Sequence, residues 1–176
     1  MSVELAVGAR VMVRQVRRDD EARFVKLARA SSAFHRPWVA LPESAEQFAT
    51  YLARFDEGDA VGMVICLREG GDIVGTVNIN GIVRGCYQRG TLGYAAFLPY
   101  AGRGYVNEGV GLAVTYAFEE LRLHRVEADI QPENSASLRL VQRLGFRKEG
   151  FSPGFIRIDG VWRDHERWAR TADHVY

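Results

Sequence analysis

Residues 93–111 read GYAAFLPYAGRGYVNEGVG, and this stretch predicts a strand, a glycine-bearing loop and a helix in direct succession. The apolar, β-prone run 94–98 stops at Pro99, and the loop after it holds Gly102 and Gly104. Free N–H groups in such a loop and in the first helical turn point toward one spot, together with the positive end of the helix dipole. The stretch therefore favours binding of a phosphate group.

Two better-known phosphate motifs lack a part here. The G-x-G-x-x-G dinucleotide pattern needs a third glycine where Asn107 stands. A P-loop needs Lys and then Ser or Thr after its second glycine, whereas Val110 and Gly111 follow Gly109. From this stretch alone, a tight strand-to-helix turn that binds no ligand remains an alternative.

The composition is that of an ordinary globular protein. The chain has 176 residues, 47% of them hydrophobic and 26% charged, which predicts one domain over residues 1–176. Because the 23 basic side chains are nearly balanced by 22 acidic ones, the net charge does not suggest a nucleic-acid partner. The sequence lacks a long apolar run and a signal-peptide pattern. We therefore expect no membrane association and a cytoplasmic location.

Cysteine and histidine spacing does not suggest a metal site. Cys66 and Cys86 show no C-x-x-C pattern, and the four histidines are scattered. We expect both cysteines to be reduced thiols without a catalytic role.

The first half of the chain predicts three strands and two helices. Strands are expected at 11–16, 61–67 and 73–79, the last two forming a hairpin. A helix follows the N-cap candidates Asp19 and Asp20, and a second follows the capping box Ser44-x-x-Gln47. We expect Gly58 to close the second helix. Its apolar face is Phe48, Tyr51, Leu52 and Phe55.

The second half adds the strand 94–98, a helix through Leu121 and a strand at 125–130. Asn134 or Ser135 caps a short helix that ends at Gly145. Strands at 151–158 and 161–169 form a hairpin around Asp159-Gly160, a type I′ turn signal. The pattern predicts an α+β domain with about seven strands and about four helices on the faces of the sheet.

With these elements in place, the chain resembles the GNAT acyltransferase superfamily over nearly its whole length. The best match is the branch of RimJ and RimL, which are ribosomal-protein N-terminal acetyltransferases. Four segments carry the resemblance in the right order: Arg36-Pro37-Trp38, LGYAAFLPYAGRGYVNEGV, ENSASLRLVQRLGFRKEG and IDGVWRDHERWA. The resemblance implies a GNAT fold with a mixed, mostly antiparallel sheet, acetyl-CoA as co-substrate and an amine acceptor.

The resemblance also implies where the coenzyme binds. Backbone groups of Ala96, Phe97 and Leu98 would pair with the pantetheine arm. The pyrophosphate would lie on the loop and helix start, at Gly102, Arg103, Gly104 and Tyr105. Asn134, Ser137 and Arg143 match further coenzyme contacts. Pro99 stands where the family usually has Gln or Arg, which leaves the backbone cradle but removes one side-chain contact.

Amine attack on a thioester needs a neutral amine, an oxyanion donor and a proton for the leaving thiolate. We expect the Ser137 hydroxyl to protonate the leaving thiolate, with Tyr94 as a substitute. A backbone N–H near Leu98 is expected to donate a hydrogen bond to the oxyanion. Glu108 is a candidate base, although an acidic residue there also suits the helix dipole. Asp164 and His165 match a recurrent pair of this branch, for which a structural hydrogen bond is expected.

The acceptor is expected between the irregular segment 33–42, the loop around Tyr87 and the final hairpin. Phe34, Trp38, Tyr87, Tyr94 and Phe155 are the candidate walls. The acceptor is a protein or peptide N-terminus or a small amine. A non-catalytic coenzyme-binding sensor or partner module and a nucleotide-binding protein are the alternatives. Because relatives of this branch often dimerise, a homodimer is a further expectation.

Overall fold

A computed structural model describes residues 4–172, whose eight strands form one mixed sheet. The strand order is β1-β2-β3-β4-β5-β6-β8-β7, and the described pairings are antiparallel apart from β5 with β6. The strands are β1 (Glu4–Val7), β2 (Val11–Gln15), β3 (Val61–Leu67), β4 (Ile73–Val83), β5 (Arg89–Ala96), β6 (Arg125–Ile130), β7 (Arg147–Ile158) and β8 (Val161–Thr171). The α+β class is confirmed, and β1 is the strand that the sequence pattern missed.

Among the described residues, five α-helices flank this sheet: α1 (Glu21–Ala30), α2 (Ser32–His35), α3 (Ala45–Ala53), α4 (Tyr105–Glu119) and α5 (Ser135–Arg143). The single turn α2 lies where prolines predicted irregular chain. Ser44 caps α3 as predicted, its Oγ accepting from the Gln47 N–H at 3.1 Å. Helix α3 already ends at Ala53, so Gly58 lies in the following loop with φ 80° instead of closing it. Within residues 4–172 no helix is both long and apolar enough to cross a membrane.

The sheet carries a hydrophobic core on each face. On one face α4 and α5 cover the strands, and the side chains that α4 buries there include Val110, Val114 and Phe118. On the other face Phe24 of α1 and Phe48 of α3 pack with ring centroids 5.2 Å apart, next to Phe97. The two layers hold β5 from both sides, which fixes the end of this strand.

Helix α4 lies unusually close to the sheet at Gly109. A Cβ placed on Gly109 would come within 2.6 Å of Ile65 Cγ2, so a side chain there would push the helix off β3. The glycine therefore serves close packing, and the start of α4 lies directly over the strands.

Strands β5 and β6 separate at their carboxyl ends. Their parallel pairing runs from Arg89↔Arg125 only to Leu92↔Ala128. Beyond this point β5 continues along β4 as far as Ala96, while β6 continues along β8 as far as Ile130. Backbone groups of β5 that face away from β4 are thus left without a strand partner, and a gap opens between the two strands.

The last two strands form the predicted hairpin. Asp159 and Gly160 have φ values of 48° and 79°, and a type I′ turn requires positive φ at both positions. The strands are longer than expected because β7 begins at Arg147 and β8 ends at Thr171.

Candidate active site

A cavity of about 350 Å³ lies where the end of β5, the start of α4 and the start of α5 meet. Ten of the candidate residues line it: Phe34, Trp38, Tyr94, Ala96, Gly102, Gly104, Tyr105, Asn134, Ser137 and Arg143. The other six candidates are not part of its wall: Tyr87, Phe97, Leu98, Arg103, Glu108 and Phe155. Residues from widely separated parts of the chain therefore meet at one place.

The glycine turn forms one end of this cavity. Gly102 and Gly104 have φ values of 74° and 79°, a region that costs any other residue conformational energy. Gly104 is the N-cap of α4 and has no side chain to satisfy the helix start. The first N–H groups of α4 therefore lack intrahelical acceptors and are available to an anion.

Arg10 supports this turn from the end of the sheet. Its Nη1 donates to the Arg103 carbonyl at 3.0 Å, and its guanidinium lies 5.0 Å from the centroid of the Tyr105 ring. A Cβ on Gly104 would lie 3.2 Å from Arg10 Nη2, so the turn and the guanidinium are in close contact. Sequence reasoning missed Arg10, because it lies 93 residues from the carbonyl it holds.

Glu108 is held by the β1–β2 turn, and this geometry does not favour its candidate role as a base. Its Oε1 accepts from the N–H groups of Arg10 at 2.7 Å and Val11 at 3.2 Å, and its Oε2 pairs with Arg10 Nε at 3.0 Å. Burial tends to raise the pKa of the Glu108 carboxyl, but these donors together hold that pKa below its usual range. The carboxylate fastens α4 to the sheet.

Asn134 and Ser137 lie at the start of α5. The Asn134 side-chain oxygen accepts from the Ser137 N–H at 3.2 Å, so Asn134, and not Ser135, is the N-cap. This bond uses Oδ1 as the acceptor, and the amide nitrogen of Asn134, a residue that lines the cavity, remains a donor. The cap thereby fixes where the Ser137 hydroxyl lies.

The hydroxyl of Tyr94 lies next to that of Ser137. It is buried, and within residues 4–172 it makes no hydrogen bond of normal geometry. Burial raises the pKa of Tyr94 to about 12, and the nearby Ser137 hydroxyl opposes a part of this rise. Tyr94 and Ser137 both line the cavity, and their hydroxyls are both neutral at neutral pH.

Basic side chains border the cavity on α5. Arg139 and Arg143 are four residues apart, so they lie one helical turn from each other on the same face. Both are exposed and line the cavity. Arg139 was missed by sequence reasoning, although its spacing from Arg143 was visible in the sequence.

The backbone at the end of β5 is bonded differently from the sequence expectation. The Leu98 N–H, expected near the oxyanion, donates to the buried Ser31 Oγ at 2.9 Å. Leu98 also lies in a short 3₁₀ turn and not in the strand. The Phe97 N–H donates to the Val74 carbonyl at 3.0 Å, and its side chain is fully buried in the core. Neither residue presents a free N–H at this position.

His35 of α2 holds the last residue of β5. Its Nε2 lies 2.7 Å from the Ala96 carbonyl oxygen, so Nε2 carries the hydrogen and donates. Burial lowers the pKa of His35 and keeps the ring neutral, although the bond to Ala96 opposes this shift. Backbone directions alternate along a strand, so the Ala96 N–H also faces away from β4. This N–H is therefore directed toward the cavity side.

The predicted acceptor walls separate into two groups. Phe34 and Trp38 line the cavity, whereas Tyr87 is 62% exposed and precedes β5. The strand segment from Arg89 to Tyr94 is roughly 17 Å long. Tyr87 therefore lies at the end of β5 that is distant from the cavity. Phe155 packs on His165 with ring centroids 6.3 Å apart and does not line the cavity.

The Asp164-His165 pair has structural hydrogen bonds. Asp164 Oδ1 accepts from the Gly154 N–H at 2.7 Å, and His165 Nδ1 donates to the Arg163 carbonyl at 2.9 Å.

Cys66 is fully buried, which raises the pKa of its thiol, and Cys86 is exposed. Within the described part of the chain no cluster of three or more His, Cys, Asp or Glu side chains could hold a metal ion.

Comparisons with known proteins assign this chain to a family. Residues 10–147 match the acetyltransferase (GNAT) domain family. The probable N-acetyltransferase YjcK of Bacillus subtilis is 36% identical over 121 residues, which cover 69% of this chain and 67% of that protein. The [ribosomal protein uS5]-alanine N-acetyltransferase of Escherichia coli is 29% identical over 170 residues, covering 92% of this chain and 88% of that protein.

A solved structure shows the same fold. RimJ of Mycobacterium smegmatis, in complex with CoA-disulfide, has a TM-score of 0.85 at 27% identity and covers 93% of this chain and 82% of its own. The resemblance to the RimJ and RimL branch is thereby confirmed. The chain therefore belongs to the GNAT family of N-acetyltransferases, for which acetyl-CoA is the co-substrate.

Proposed function

We propose that this N-acetyltransferase moves the acetyl group directly to the α-amine of a protein or peptide N-terminus. The observation that carries the proposal is the meeting of the glycine turn and the Ser137 and Tyr94 hydroxyls in one cavity. A phosphate cradle and a proton donor within the same cavity are what acyl transfer from a coenzyme thioester requires.

The residues present fit the coenzyme. The turn at Gly102 and Gly104 and the first N–H groups of α4 hold the pyrophosphate, with Arg139 and Arg143 adding positive charge. The amide nitrogen of Asn134 and the unpaired edge of β5 hold the pantetheine arm. With the arm and the pyrophosphate held by these residues, the thioester would lie between β5 and Ser137.

The chain supplies the remaining groups. The Ala96 N–H replaces the Leu98 N–H as the proposed donor to the acetyl oxygen, because Ser31 occupies the latter. The Ser137 hydroxyl gives a proton to the leaving sulfur, and Tyr94 lies beside it. An α-amine with a pKa of about 7.7 to 8.0 is partly neutral at physiological pH and can attack the thioester. Solvent takes the proton that the nitrogen loses after the attack, and the Ser137 oxygen regains a proton from solvent. Glu108 is not needed as a base.

The acceptor class rests on relatives. The name of the E. coli relative says that it N-acetylates an alanine of ribosomal protein uS5. Because an alanine side chain has no nitrogen, we take this acceptor to be an N-terminal α-amine. Small amines are the second acceptor class within the same activity. The cytoplasmic location and the homodimer belong to the proposal as well.

An acceptor screen tests the proposal. Purified protein and acetyl-CoA are incubated with N-terminal peptides, polyamines and aminoglycosides, and products are read by mass. We expect acetylated peptide, with no acetyl retained on the protein. If coenzyme binds tightly in calorimetry and none of the amines is acetylated, the protein is instead a coenzyme-binding module.

A further inference from the structure

The part of the glycine turn that lines the cavity has no cationic side chain. It consists of Tyr100, Ala101, Gly102, Gly104 and Tyr105, because Arg103 is not part of the wall. Phosphate binding at this turn therefore depends mainly on main-chain N–H groups, and the direction of each N–H decides whether it can donate. Within residues 4–172 the Gly104 N–H has no acceptor.

Arg10 fixes the peptide unit that joins Arg103 to Gly104. Its Nη1 donates to the Arg103 carbonyl oxygen at 3.0 Å. In a trans peptide unit such as this one, the C=O and the N–H point in opposite directions. Because the carbonyl points to Arg10, the Gly104 N–H points away from Arg10. Gly104 lines the cavity, and Arg10 does not.

Without such a contact, Gly104 would allow this peptide unit to rotate. Its φ of 79° suits glycine, but negative values are equally open to a residue without a Cβ. Rotation of the unit would put the Arg103 carbonyl oxygen where the Gly104 N–H now lies. A carbonyl oxygen is only an acceptor and cannot bind a phosphate oxygen. The hydrogen bond from Arg10 opposes this rotation.

Arg10 is itself held in place by several contacts. Its Nε–H donates to Glu108 Oε2 at 3.0 Å, and its guanidinium lies 5.0 Å from the centroid of the Tyr105 ring. The Arg10 main-chain N–H donates to Glu108 Oε1 at 2.7 Å. Arg68 Nη1 donates to the carbonyl oxygens of residues 8 and 9, which supports the β1–β2 turn. The guanidinium is therefore oriented although 52% of the Arg10 side chain is exposed.

We propose that Arg10 is a positioning residue for the coenzyme: by holding the Arg103 carbonyl, it keeps the Gly104 N–H directed at the pyrophosphate. Arg10 acts through the turn and takes no part in the chemistry. The inference rests on the proposed function in one respect, the placement of the pyrophosphate at the glycine turn, and is independent of the acceptor. It extends the coenzyme site to the β1–β2 turn, outside the cavity.

Two variants and two ligands test this role. Arg10→Met removes the donor. Arg84→Met is the matched control, because Arg84 is also exposed and its Nη1 donates to the Leu121 carbonyl beyond the other end of α4. CoA contains the pyrophosphate, whereas pantetheine has no phosphate group. Calorimetry measures the Kd of CoA, and displacement calorimetry against CoA measures the Kd of pantetheine.

Arg10→Met should raise the Kd of CoA by at least about 10-fold and that of pantetheine by less than about 2-fold, because only phosphate contacts are lost. Arg84→Met should leave both Kd values close to those of the wild type. A merely structural role of Arg10 would loosen the whole site and weaken both ligands alike. Equal factors for the two ligands, or an unchanged Kd of CoA, would therefore overturn the inference.

The variant Arg10→Lys separates charge from geometry. It keeps the positive charge but lacks the planar fork with which Arg10 contacts Glu108 and the Arg103 carbonyl together. We expect its Kd of CoA to stay at least about 5-fold above that of the wild type. Full recovery of CoA affinity would mean that charge alone favours the coenzyme, which would overturn the positioning role.

The amide resonance of Gly104 tests the orientation in the wild-type protein, without any variant. On saturation with CoA its amide proton should shift downfield, because the N–H then donates to a charged oxygen. Pantetheine should not cause this shift, and in Arg10→Met saturated with CoA the shift should be smaller. A Gly104 amide proton that CoA leaves unchanged would overturn the inference. If these results hold and no amine is acetylated in the acceptor screen, the proposed function fails alone.

Discussion

Ser137 combines a structural and a proposed chemical role. Its N–H is bonded to Asn134 Oδ1, which fixes the start of α5, whereas its hydroxyl lies beside the buried hydroxyl of Tyr94. A substitution that keeps the backbone bond and removes only the hydroxyl therefore separates the two roles.

We predict that Ser137→Ala lowers kcat by about 100-fold and leaves coenzyme affinity nearly unchanged, because a general acid contributes to the transition state and little to ground-state binding. Steady-state kinetics and calorimetry with CoA provide the two measurements. Ser135→Ala is the control, since Ser135 is exposed and does not line the cavity. An unchanged kcat in Ser137→Ala would assign the proton to another group.

His35 predicts a pH dependence of stability. Burial lowers its folded-state pKa, so below about pH 6.5 the unfolded chain binds the proton more readily than the folded one. The contribution of neutral His35 to the free energy of unfolding is fully present above about pH 6.5. It is lost as the pH falls toward the folded-state pKa.

The variant His35→Gln isolates this contribution. Its amide nitrogen can still donate to the Ala96 carbonyl, but it does not titrate. We predict that the free energy of unfolding, measured with urea between pH 7.5 and about pH 5, falls less steeply in the variant than in the wild type. Parallel slopes would show that His35 is not the buried neutral group described.

At the scale of elements, the turn between β5 and α4 depends on two glycines with positive φ. Gly104 is the more constrained, because a Cβ would also approach Arg10 Nη2. Arg10 and Glu108 then tie this turn and α4 to the edge of the sheet. The proposed phosphate site is thus part of a turn that the contacts of Arg10 and Glu108 hold in place.

We predict that Gly104→Val weakens coenzyme binding by at least about 100-fold, because a β-branched side chain opposes positive φ and crowds the free N–H groups. Gly58→Val is the control. Gly58 has φ 80° with open space around it and does not line the cavity. Both variants should lose stability, but only Gly104→Val should lose CoA affinity in calorimetry. Equal affinities in the two variants would refute the proposed cradle.

Local signals in the sequence predicted most elements correctly. Ser44, Asn134, Gly145 and Asp159-Gly160 mark caps and turns whose geometry depends on neighbouring residues alone. Strand β1 was missed because it is four residues long and its burial pattern is weak. Helix α2 was missed because it is a single turn before prolines.

The bonding within the candidate site was less predictable. Ser31 reaches Leu98, and Arg10 reaches Glu108, across 67 and 98 residues of chain. Such contacts depend on how α1 and the β1–β2 turn dock on the sheet, and no local pattern encodes them. The resemblance to a family identified the cavity residues better than it identified their hydrogen-bond partners.

At the scale of the whole molecule, the separation of β5 from β6 creates the site. Two helical layers cover the sheet, and the parallel pair opens only after Leu92 and Ala128. The starts of α4 and α5 border the cavity at this opening. Free backbone groups, two helix starts and two hydroxyls therefore lie together although the chain distributes them over more than 40 residues.

Hydrogen exchange with mass spectrometry, with and without CoA, tests the location of this site most directly. Amides that exchange by local opening at 94–96, 102–108 and 134–143 should be protected by CoA, because they form the proposed walls. Amides of the loop 54–60, on the far side of the fold from the glycine turn, should exchange at nearly the same rate. Protection of that loop without protection of 102–108 would contradict the account.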